Sequence, residues 1–292
     1  MPTAHVAELP DRGAVRVAGA DAGPFLQGLI TNDMDLLAAE PAIHAGLLSP
    51  QGKILFEFFV VGAGDTFLLE TGRAMAPALV KRLSMYKLRA KVEIADVSDA
   101  FAVYVGWGAA APFGTGNTRF ADPRDGGLGW RALIPRAGSD APIPTATAAA
   151  YHAHRISRGV PEAGRDYALS DTFPHEADFD LFAGASFTKG CYVGQEVVAR
   201  MHNKTVVRKR VVRINADGEL VTGVEIKVGA AAIGSVGSVA GGAGLALLRL
   251  DRVAEALDKG LAVTAGGLML TVDPDAIARY RRSVAERPEI NL

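Results

Sequence analysis

The sequence is most distinctive at Ser186-Phe-Thr-Lys-Gly-Cys-Tyr-Val-Gly-Gln-Glu-Val-Val-Ala-Arg200, which holds the only cysteine of the 292-residue chain. Gly194 permits a tight turn, and the following apolar residues predict a helix with Glu196 in its first turn, where the helix dipole favours a negative charge. A thiol that precedes such a helix and lies near Lys189 experiences positive potential from both, which favours the reactive thiolate. A buried, unreactive Cys191 is the alternative, because free cysteines are usually small core residues.

The composition is that of an ordinary globular protein, with 49% hydrophobic residues, 22% charged residues and a net charge of −1. This balance gives no reason to expect binding to nucleic acid or to an anionic membrane. A single cysteine excludes internal disulfides and an all-cysteine metal site within one chain, so no metal site is predicted. There is no apolar run of about 18 residues, and the start of the sequence lacks a signal-peptide pattern. We therefore expect a soluble cytoplasmic protein.

Hydrophobic periodicity predicts a mixture of helices and strands before residue 204 and short strands after it. The glycine-broken apolar runs of the second region are typical of a small β-barrel. Thr31-Asn32-Asp33 is expected to cap a helix, and the polar end of the chain, 278–292, is expected to be irregular. Strands are predicted at 12–18, 44–48, 54–61, 67–71, 91–96 and 101–105, and helices at 25–30, 74–88 and 148–157.

The octapeptide Lys189-Gly-Cys-Tyr-Val-Gly-Gln-Glu196 resembles the signature of the YgfZ-type folate-binding proteins. These proteins are relatives of the glycine-cleavage aminomethyltransferase and act in iron–sulfur protein maturation. The segments 25–33, 49–54 and 86–92 also resemble that family. The resemblance implies an α+β fold: an aminomethyltransferase-like folate-binding core of mixed helices and antiparallel sheets over residues 1–203, in two subdomains, and a small C-terminal β-barrel domain over 204–292.

The resemblance implies a tetrahydrofolate-binding protein that acts in the maturation or repair of iron–sulfur proteins. Cys191 would be its functional thiol and Lys189 the basic neighbour of that thiol. Glu176 of Pro174-His-Glu is the first choice for the pterin, because a carboxylate can accept two adjacent N–H donors. Further folate contacts are implied for Asn32, Tyr86, Tyr192, Gln195, Glu196 and Arg200.

The partners implied by the resemblance are folate and iron–sulfur assembly proteins or client iron–sulfur enzymes, with no nucleic acid and no membrane. The basic run Arg208-Lys-Arg210 is either the solvated face of a strand or an attraction for the glutamyl tail of a folate. His152 and His154 lie on different faces of a predicted helix, so a shared metal is not expected.

Two departures from the aminomethyltransferase branch bear on catalysis. Phe56 stands where the first of two hairpin acids would be, and Ser157 replaces a glutamate. Neither side chain can stabilise a developing positive charge as a carboxylate does. Glu57 could substitute, but strand alternation directs it to the face opposite Phe56. Enzymatic activity is therefore not expected. A folate-dependent one-carbon transferase is the alternative, and a structural adaptor whose cysteine only packs is the third hypothesis.

Overall fold

The computed structural model describes residues 3–108, 118–137 and 141–287. The chain divides into two compact units, Met1–Tyr151 with Asp180–Gln195, and His152–Phe179 with Glu196–Leu292. The predicted domains, 1–203 and 204–292, stay a prediction; the compact units differ from them in that 152–179 and 196–203 group with the C-terminal region. In the described part of the chain, no helix is long and apolar enough to cross a membrane.

The first unit is built from two antiparallel sheets and two α-helices. Its elements are β1 (His5–Glu8), β2 (Arg12–Ala18), α1 (Ala22–Gln27), β3 (Ala42–Leu48), β4 (Ile54–Ala63), β5 (Thr66–Gly72), α2 (Ala76–Tyr86), β6 (Glu93–Asp96), β7 (Phe101–Trp107), β8 (Arg119–Ala121) and β9 (Trp130–Pro135), with 3₁₀ turns at Met34–Ala38, Arg73–Met75 and Gly126–Leu128. The strand order is β3-β4-β5-β2-β6 in the larger sheet and β1-β7-β9-β8 in the smaller. The predicted strands and helices of this region are confirmed, with small shifts at their ends.

The five-stranded sheet has an apolar core on each face because its strands alternate. On β4, Phe56 and Phe58 pack in one cluster with residues of α1 and α2. Phe59 and Val61 pack in the other cluster, with residues of β7 and β9. Glu57 lies between Phe56 and Phe58 in sequence and contacts the His44 ring, whose centre lies 5.6 Å from that of the Phe59 ring in a tilted arrangement. The prediction that Glu57 and Phe56 point to opposite faces is confirmed.

A buried carboxylate connects the two sheets. Glu70 on β5 is fully buried and accepts hydrogen bonds from Arg12 Nε at 2.7 Å and from Arg131 Nη2 and Nε at 2.6 and 2.8 Å. Burial raises the pKa of Glu70, but the charges and hydrogen bonds of Arg131 and Arg12 outweigh it and the pKa is lowered. Arg12 belongs to the larger sheet and Arg131 to the smaller, so Glu70 ties the sheets together.

A second carboxylate extends this network. Arg124 Nε and Nη2 donate to Asp122 at 3.0 and 2.8 Å, and Arg131 Nη1 donates to the Tyr151 hydroxyl at 2.9 Å. The guanidinium groups of Arg124 and Arg131 lie 4.8 and 4.7 Å from the centre of the Phe59 ring. Cations over an aromatic face are attracted by its quadrupole. The network therefore combines ion pairs with cation–π contacts. It lies between the two sheets, where strand alternation alone predicts apolar side chains.

The second unit is centred on a closed barrel with the strand order β10-β13-β12-β11-β14-β15. The elements after β9 are α3 (Ala148–Ser157), α4 (Gln195–Lys204), β10 (Lys209–Ala216), β11 (Glu225–Val228), β12 (Ala231–Ala240), β13 (Ala243–Arg249), α5 (Leu250–Asp258), β14 (Val263–Ala265), β15 (Leu268–Val272) and α6 (Pro274–Ala285). β10 pairs with both β13 and β15, which closes the barrel. The predicted small β-barrel and the α+β class are confirmed.

The prediction of an irregular end at 278–292 is wrong for its described part. α6 begins at Pro274, and the Asp273 side chain accepts a hydrogen bond from Asp275 N at 3.0 Å. Ala276 and Ile277 of this helix are buried in the barrel core. An aspartate cap followed by proline at the first helical position is a helix-start signal that favours this outcome. Residues 288–292 lie outside the described part of the chain.

The first prediction concerns the buried network. Glu70→Gln should lower the free energy of unfolding by about 3–5 kcal/mol, because it leaves two buried arginines without their partner. Urea titration of the purified protein measures this loss, and Arg200→Ala, which removes an exposed pair, should cost less than about 1 kcal/mol.

The pH dependence of the Glu70→Gln effect has a definite sign. A lowered folded-state pKa means that Glu70 contributes stability above its unfolded pKa and loses it as pH falls through the folded value. The difference between the wild type and Glu70→Gln should therefore shrink in acid. A difference that stays constant down to acid unfolding would contradict this role of the charge.

Candidate functional site

The turn before α4 is fixed by backbone geometry at Gly194. Its φ of +82° is unfavourable for residues with a side chain, and a Cβ there would lie 2.6 Å from Ser49 O. The Gln195 side chain accepts a hydrogen bond from Tyr192 N at 3.3 Å. The predicted helix start is confirmed, with Glu196 in the first turn of α4. Residues 192–195 thus form a turn that holds the preceding cysteine segment in one conformation.

Lys189 is buried, and its amine is held by main-chain carbonyls. Nζ donates to Gln27 O at 2.8 Å, Ile30 O at 3.0 Å and Asn32 O at 2.7 Å. An ammonium group has three N–H donors, so all three are used at the C-terminal end of α1 and the turn after it. Burial lowers the pKa of Lys189 to about 8, opposed by the nearby carboxylates of Asp33 and Asp35.

Further hydrogen bonds hold the segment 182–189 in place. Asn32 Nδ2 donates to Ala183 O and His44 O, both at 2.8 Å. Thr31 Oγ1 donates to Gly184 O at 2.6 Å. Phe182 O lies 2.9 Å from His44 Nδ1. We call the side chains of Thr31, Asn32, His44 and Lys189 the anchor set, because together they fix the chain that leads to Cys191.

Cys191 is exposed. The alternative of a buried, packing cysteine is therefore not what the structure shows. A thiol carried by an anchored loop and open to solvent is in a position to react with, or coordinate to, a group brought by another molecule. The described residues contain no cluster of three or more histidine, cysteine, aspartate or glutamate side chains that could hold a metal ion.

Tyr192 differs from the anchor set because its polar atom has no partner. The residue is 7% exposed, and within the described residues its hydroxyl makes no hydrogen bond. Burial raises the pKa of Tyr192 to about 12. The Lys189 amine lies 5.3 Å from the centre of its ring. A buried hydroxyl without a partner costs stability.

The other predicted site residues occupy different settings. Tyr86, at the end of α2, is partly buried against the apolar core of the first unit. Gln195 supports the turn, as described above. Glu196 and Arg200 form an exposed ion pair on α4, with Nη2 and Oε1 2.7 Å apart. Asn32 uses its amide to anchor the chain.

Glu176 lies in a turn of the second unit. Its Oε2 accepts a hydrogen bond from Phe173 N at 2.9 Å, and its carbonyl accepts one from Val211 N at 2.9 Å. Arg210 Nη1 donates to Asp178 Oδ1 at 2.8 Å and to His175 O at 2.7 Å. Of the basic run at 208–210, Arg210 therefore forms a partly buried ion pair and is not a fully solvated side chain. The half-buried carboxylate of Glu176 retains acceptor capacity beyond its bond to Phe173 N.

The structure thus brings Lys189, Cys191, Tyr192 and Gln195 together on one loop of the first unit. Glu176, Glu196 and Arg200 belong to the second unit. Sequence reasoning missed Thr31 and His44 of the anchor set. The polar cluster Thr31-Asn32-Asp33 was the available signal, but it predicted helix capping. Asp33 does cap the 3₁₀ turn at Met34–Ala38, while Thr31 and Asn32 bind the carbonyls of residues 183–184.

The fold and the site together define the class of protein. The structure superposes on the glycine cleavage system aminomethyltransferase T from Bartonella henselae with a TM-score of 0.69, over 92% of this chain and 84% of that chain, at 16% identity. The sequence pattern of the family described as CAF17, C-terminal beta-barrel domain, matches residues 208–279. The chain therefore has an aminomethyltransferase-like fold that ends in a CAF17-type barrel.

Sequence relatives identify the family to which the chain belongs within this fold class. The chain is 34% identical to the iron-sulfur cluster assembly factor IBA57, mitochondrial, of Mus musculus, over 84% of this chain and 77% of the relative. It is 37% identical to the Homo sapiens protein of the same name, over 72% and 67%. The homologue of Mycosarcoma maydis is 34% identical over 73% of this chain, a match that covers 57% of the fungal protein. The chain belongs to the IBA57 family of iron–sulfur cluster assembly factors.

The second prediction concerns the amine of Lys189. Lys189→Met should lower the free energy of unfolding by about 1–3 kcal/mol, because it leaves buried carbonyls without a donor. The folded-state pKa of about 8 is below the ordinary value of 10.5, so the unfolded chain binds more protons between these values and stability rises with pH.

Urea titrations between pH 7 and 10 test this sign. The unfolding free energy of the wild type minus that of Lys189→Met should be constant below pH 8 and increase above it. Lys81→Met, at an exposed position of α2, serves as the matched control and should show no such change. A difference that falls with pH would mean that the carbonyl acceptors and nearby carboxylates stabilise the charged amine more than burial destabilises it.

Proposed function

We propose that the protein acts in the maturation or repair of iron–sulfur proteins, that it binds a reduced folate, and that Cys191 is its functional thiol. The observation that carries the proposal is the exposed thiol of Cys191 on a loop anchored by Lys189. Membership of the IBA57 family supports the iron–sulfur part, because the relatives are named as assembly factors. The cytoplasmic location stays a proposal; the names of these relatives include the word mitochondrial.

The iron–sulfur cluster is cargo in this proposal and not a resident cofactor. Clusters are normally held by four ligands, and Cys191 is the only cysteine of the chain. The remaining ligands would come from a partner, a second copy of the chain or a small thiol. We favour a transient contact, in which Cys191 supplies one thiolate to a cluster that another protein carries. The partners we propose are accordingly iron–sulfur assembly proteins and client iron–sulfur enzymes.

Tyr192 in the first unit and Glu176 in the second each carry a polar group whose chemistry suits a pterin. The buried Tyr192 hydroxyl has no partner among the described residues, and a pterin presents both donors and acceptors along its edge. The Glu176 carboxylate is a suitable acceptor for adjacent N–H groups. Bound folate would supply a one-carbon carrier. In our proposal the residues of this chain orient it, and Asn32, Tyr86, Gln195, Glu196 and Arg200 remain proposed contacts.

No contact in the described structure favours the alternative of a one-carbon transferase. Phe56 packs in the apolar core beside α1 and α2. The Ser157 hydroxyl donates to His154 O at 2.7 Å at the end of α3. Glu57 Oε1 lies 3.0 Å from His44 Nε2, so this acid is engaged inside the first unit. We therefore keep the proposal of a binding protein without aminomethyl transfer.

The third prediction tests the thiol. Cys191→Ser should change the free energy of unfolding by no more than about 0.5 kcal/mol, as expected for an exposed substitution. In cells that lack the protein, the serine variant should fail to restore the activity of iron–sulfur enzymes. Ser186→Ala, on the same loop, is the control and should restore it. Full rescue by Cys191→Ser would refute a role for the thiol.

The fourth prediction tests folate binding through opposite effects on stability and affinity. Tyr192→Phe removes a buried hydroxyl that has no partner, so it should raise the stability of the ligand-free protein, by up to about 1–3 kcal/mol. The same variant should bind tetrahydrofolate more weakly, by about 0.5–1.5 kcal/mol. Denaturant titration and calorimetry measure the two quantities.

Glu176→Gln completes this test. The glutamine oxygen can still accept from Phe173 N, whereas alanine would remove that bond along with the charge. We expect Glu176→Gln to fold normally and to lose about 1.5–3 kcal/mol of folate affinity, the range for hydrogen bonds to a charged group. If the wild-type protein shows no heat of binding with any reduced folate, the folate part of the proposal fails, while the test of Cys191 is unaffected.

A further inference from the structure

One surface of the first unit carries an unusual concentration of positive charge. The segment 73–91 contains six lysines and arginines and no aspartate or glutamate. The whole chain, in contrast, has 31 basic and 32 acidic residues. The segment comprises the turn before α2, α2 itself and the turn after it. The positive charge is therefore a local feature of α2 that the overall balance conceals.

Five of these cations have no ionic partner among the described residues, namely the four that lie between 81 and 89 and Lys91. Lys81, Arg82, Lys87 and Arg89 form no side-chain hydrogen bond or ion pair with the described residues. The carboxylate that follows the segment, Glu93, lies 3.6 Å from Arg16 on the neighbouring strand. Lys81 and Arg89 are exposed, and Arg82 and Lys87 are partly exposed. Their charges are thus uncompensated, whereas buried arginines elsewhere in the first unit are paired.

Two exposed apolar side chains lie among these cations. Met85 is 63% exposed and Leu88 is 91% exposed. Leu88 also adopts a φ of +41°, a left-handed backbone conformation that disfavours residues with a Cβ. Glycine or asparagine would be the ordinary choice at such a turn. Leucine at this position is unfavourable for the backbone conformation and for the solvation of its exposed side chain. Its presence favours a contact of this side chain with another molecule.

The arrangement is unsuited to a membrane surface. An interfacial helix binds a bilayer by inserting a continuous apolar face. The apolar face of α2, formed by Ala76, Leu79 and Leu83, is already buried against the sheet. Two apolar side chains surrounded by four cations are more typical of a small protein–protein contact, in which an apolar anchor lies inside a charged rim.

We propose that Lys81, Arg82, Met85, Lys87, Leu88 and Arg89 form a docking surface for an acidic segment of a protein partner. Carboxylates of the partner pair with the four cations, and Leu88 enters an apolar contact at the centre. Charge complementarity of this kind accelerates association and selects the partner. Tyr86, a proposed folate contact, lies between Met85 and Lys87, but its ring packs against the apolar core of the first unit and is not part of the docking surface. The docking proposal therefore does not depend on folate binding or on Cys191.

The test uses the full-length protein and a defined probe. The probe is a fluorescent synthetic peptide rich in glutamate with leucines at helical spacing, and its reference is the same peptide with every glutamate replaced by glutamine. Fluorescence anisotropy should show that the wild type binds the glutamate peptide at least about tenfold more tightly, and that salt weakens the binding. The paired substitution Lys87→Glu with Arg89→Glu should reduce this affinity about tenfold or more.

Leu88→Gly separates binding from folding. It relieves the left-handed backbone, so the midpoint temperature of unfolding should stay the same or rise, while affinity for the glutamate peptide should fall about fivefold. Arg279→Glu with Arg282→Glu on α6 makes the same change of charge on two exposed arginines and should leave peptide affinity unchanged.

Three results would overturn the docking surface. One is equal affinity for the glutamate and glutamine peptides. Another is an affinity that the reversal at Lys87 and Arg89 leaves intact. The third is binding to phosphatidylglycerol vesicles or duplex DNA that exceeds peptide binding and is lost in Leu88→Gly, which would assign the surface to a lipid or nucleic acid partner.

Discussion

The fully buried carboxylate of Glu70 is the constraint on which the first unit depends. A charge removed from water is tolerated only when opposite charges and hydrogen bonds surround it. Arg12 of the larger sheet and Arg131 of the smaller sheet supply both. The two sheets must therefore stack in the register that lets Arg131 reach Glu70. Apolar packing between the sheets is less directional, so this network specifies the arrangement more sharply than the surrounding core does.

The same requirement at Lys189 connects the core to the candidate site. The amine of Lys189 is removed from water and needs three acceptors, which the carbonyls after α1 provide. Since Cys191 is two residues away, the bonds that satisfy the buried amine also hold the thiol loop. The side chain of Lys189 thus both contributes to the fold and positions the loop that carries the proposed functional thiol. The role of Lys189 as the basic neighbour of the thiol stays a prediction.

Tyr192 and Leu88 depart from the pattern of satisfied groups. A buried hydroxyl without a partner and an exposed leucine in a left-handed conformation are both unfavourable for the isolated chain. Local departures of this kind are expected at functional positions, where part of the interaction comes from another molecule. The two residues mark different surfaces of the first unit, one beside Cys191 and one beyond α2. The proposals made for them are accordingly independent.

Local patterns in the sequence predicted most helices and strands of the first unit and the C-terminal barrel, and the cysteine motif carried the resemblance that implied the α+β class. These features depend on local periodicity and on short signals such as Gly194 before α4, which act over a few residues. Even the placement of Phe56 and Glu57 on opposite faces of the sheet follows from the two-residue repeat of a strand. The missed start of α6 at Asp273-Pro274 was also a local signal, and it was available in the sequence.

Tertiary structure alone decided which polar groups meet. The bond from Lys189 to Asn32 O spans 157 residues, and the bond from Arg131 to Glu70 spans 61. Sequence periodicity does not encode such pairs. Many donors or acceptors along the chain could pair with a given charged group, and only the fold decides which of them lies close to it. Whether the thiol of Cys191 is exposed likewise depends on the elements that surround it. The physical reason is that burial and pairing are properties of the packed chain, whereas helix and strand patterns are properties of its neighbouring residues.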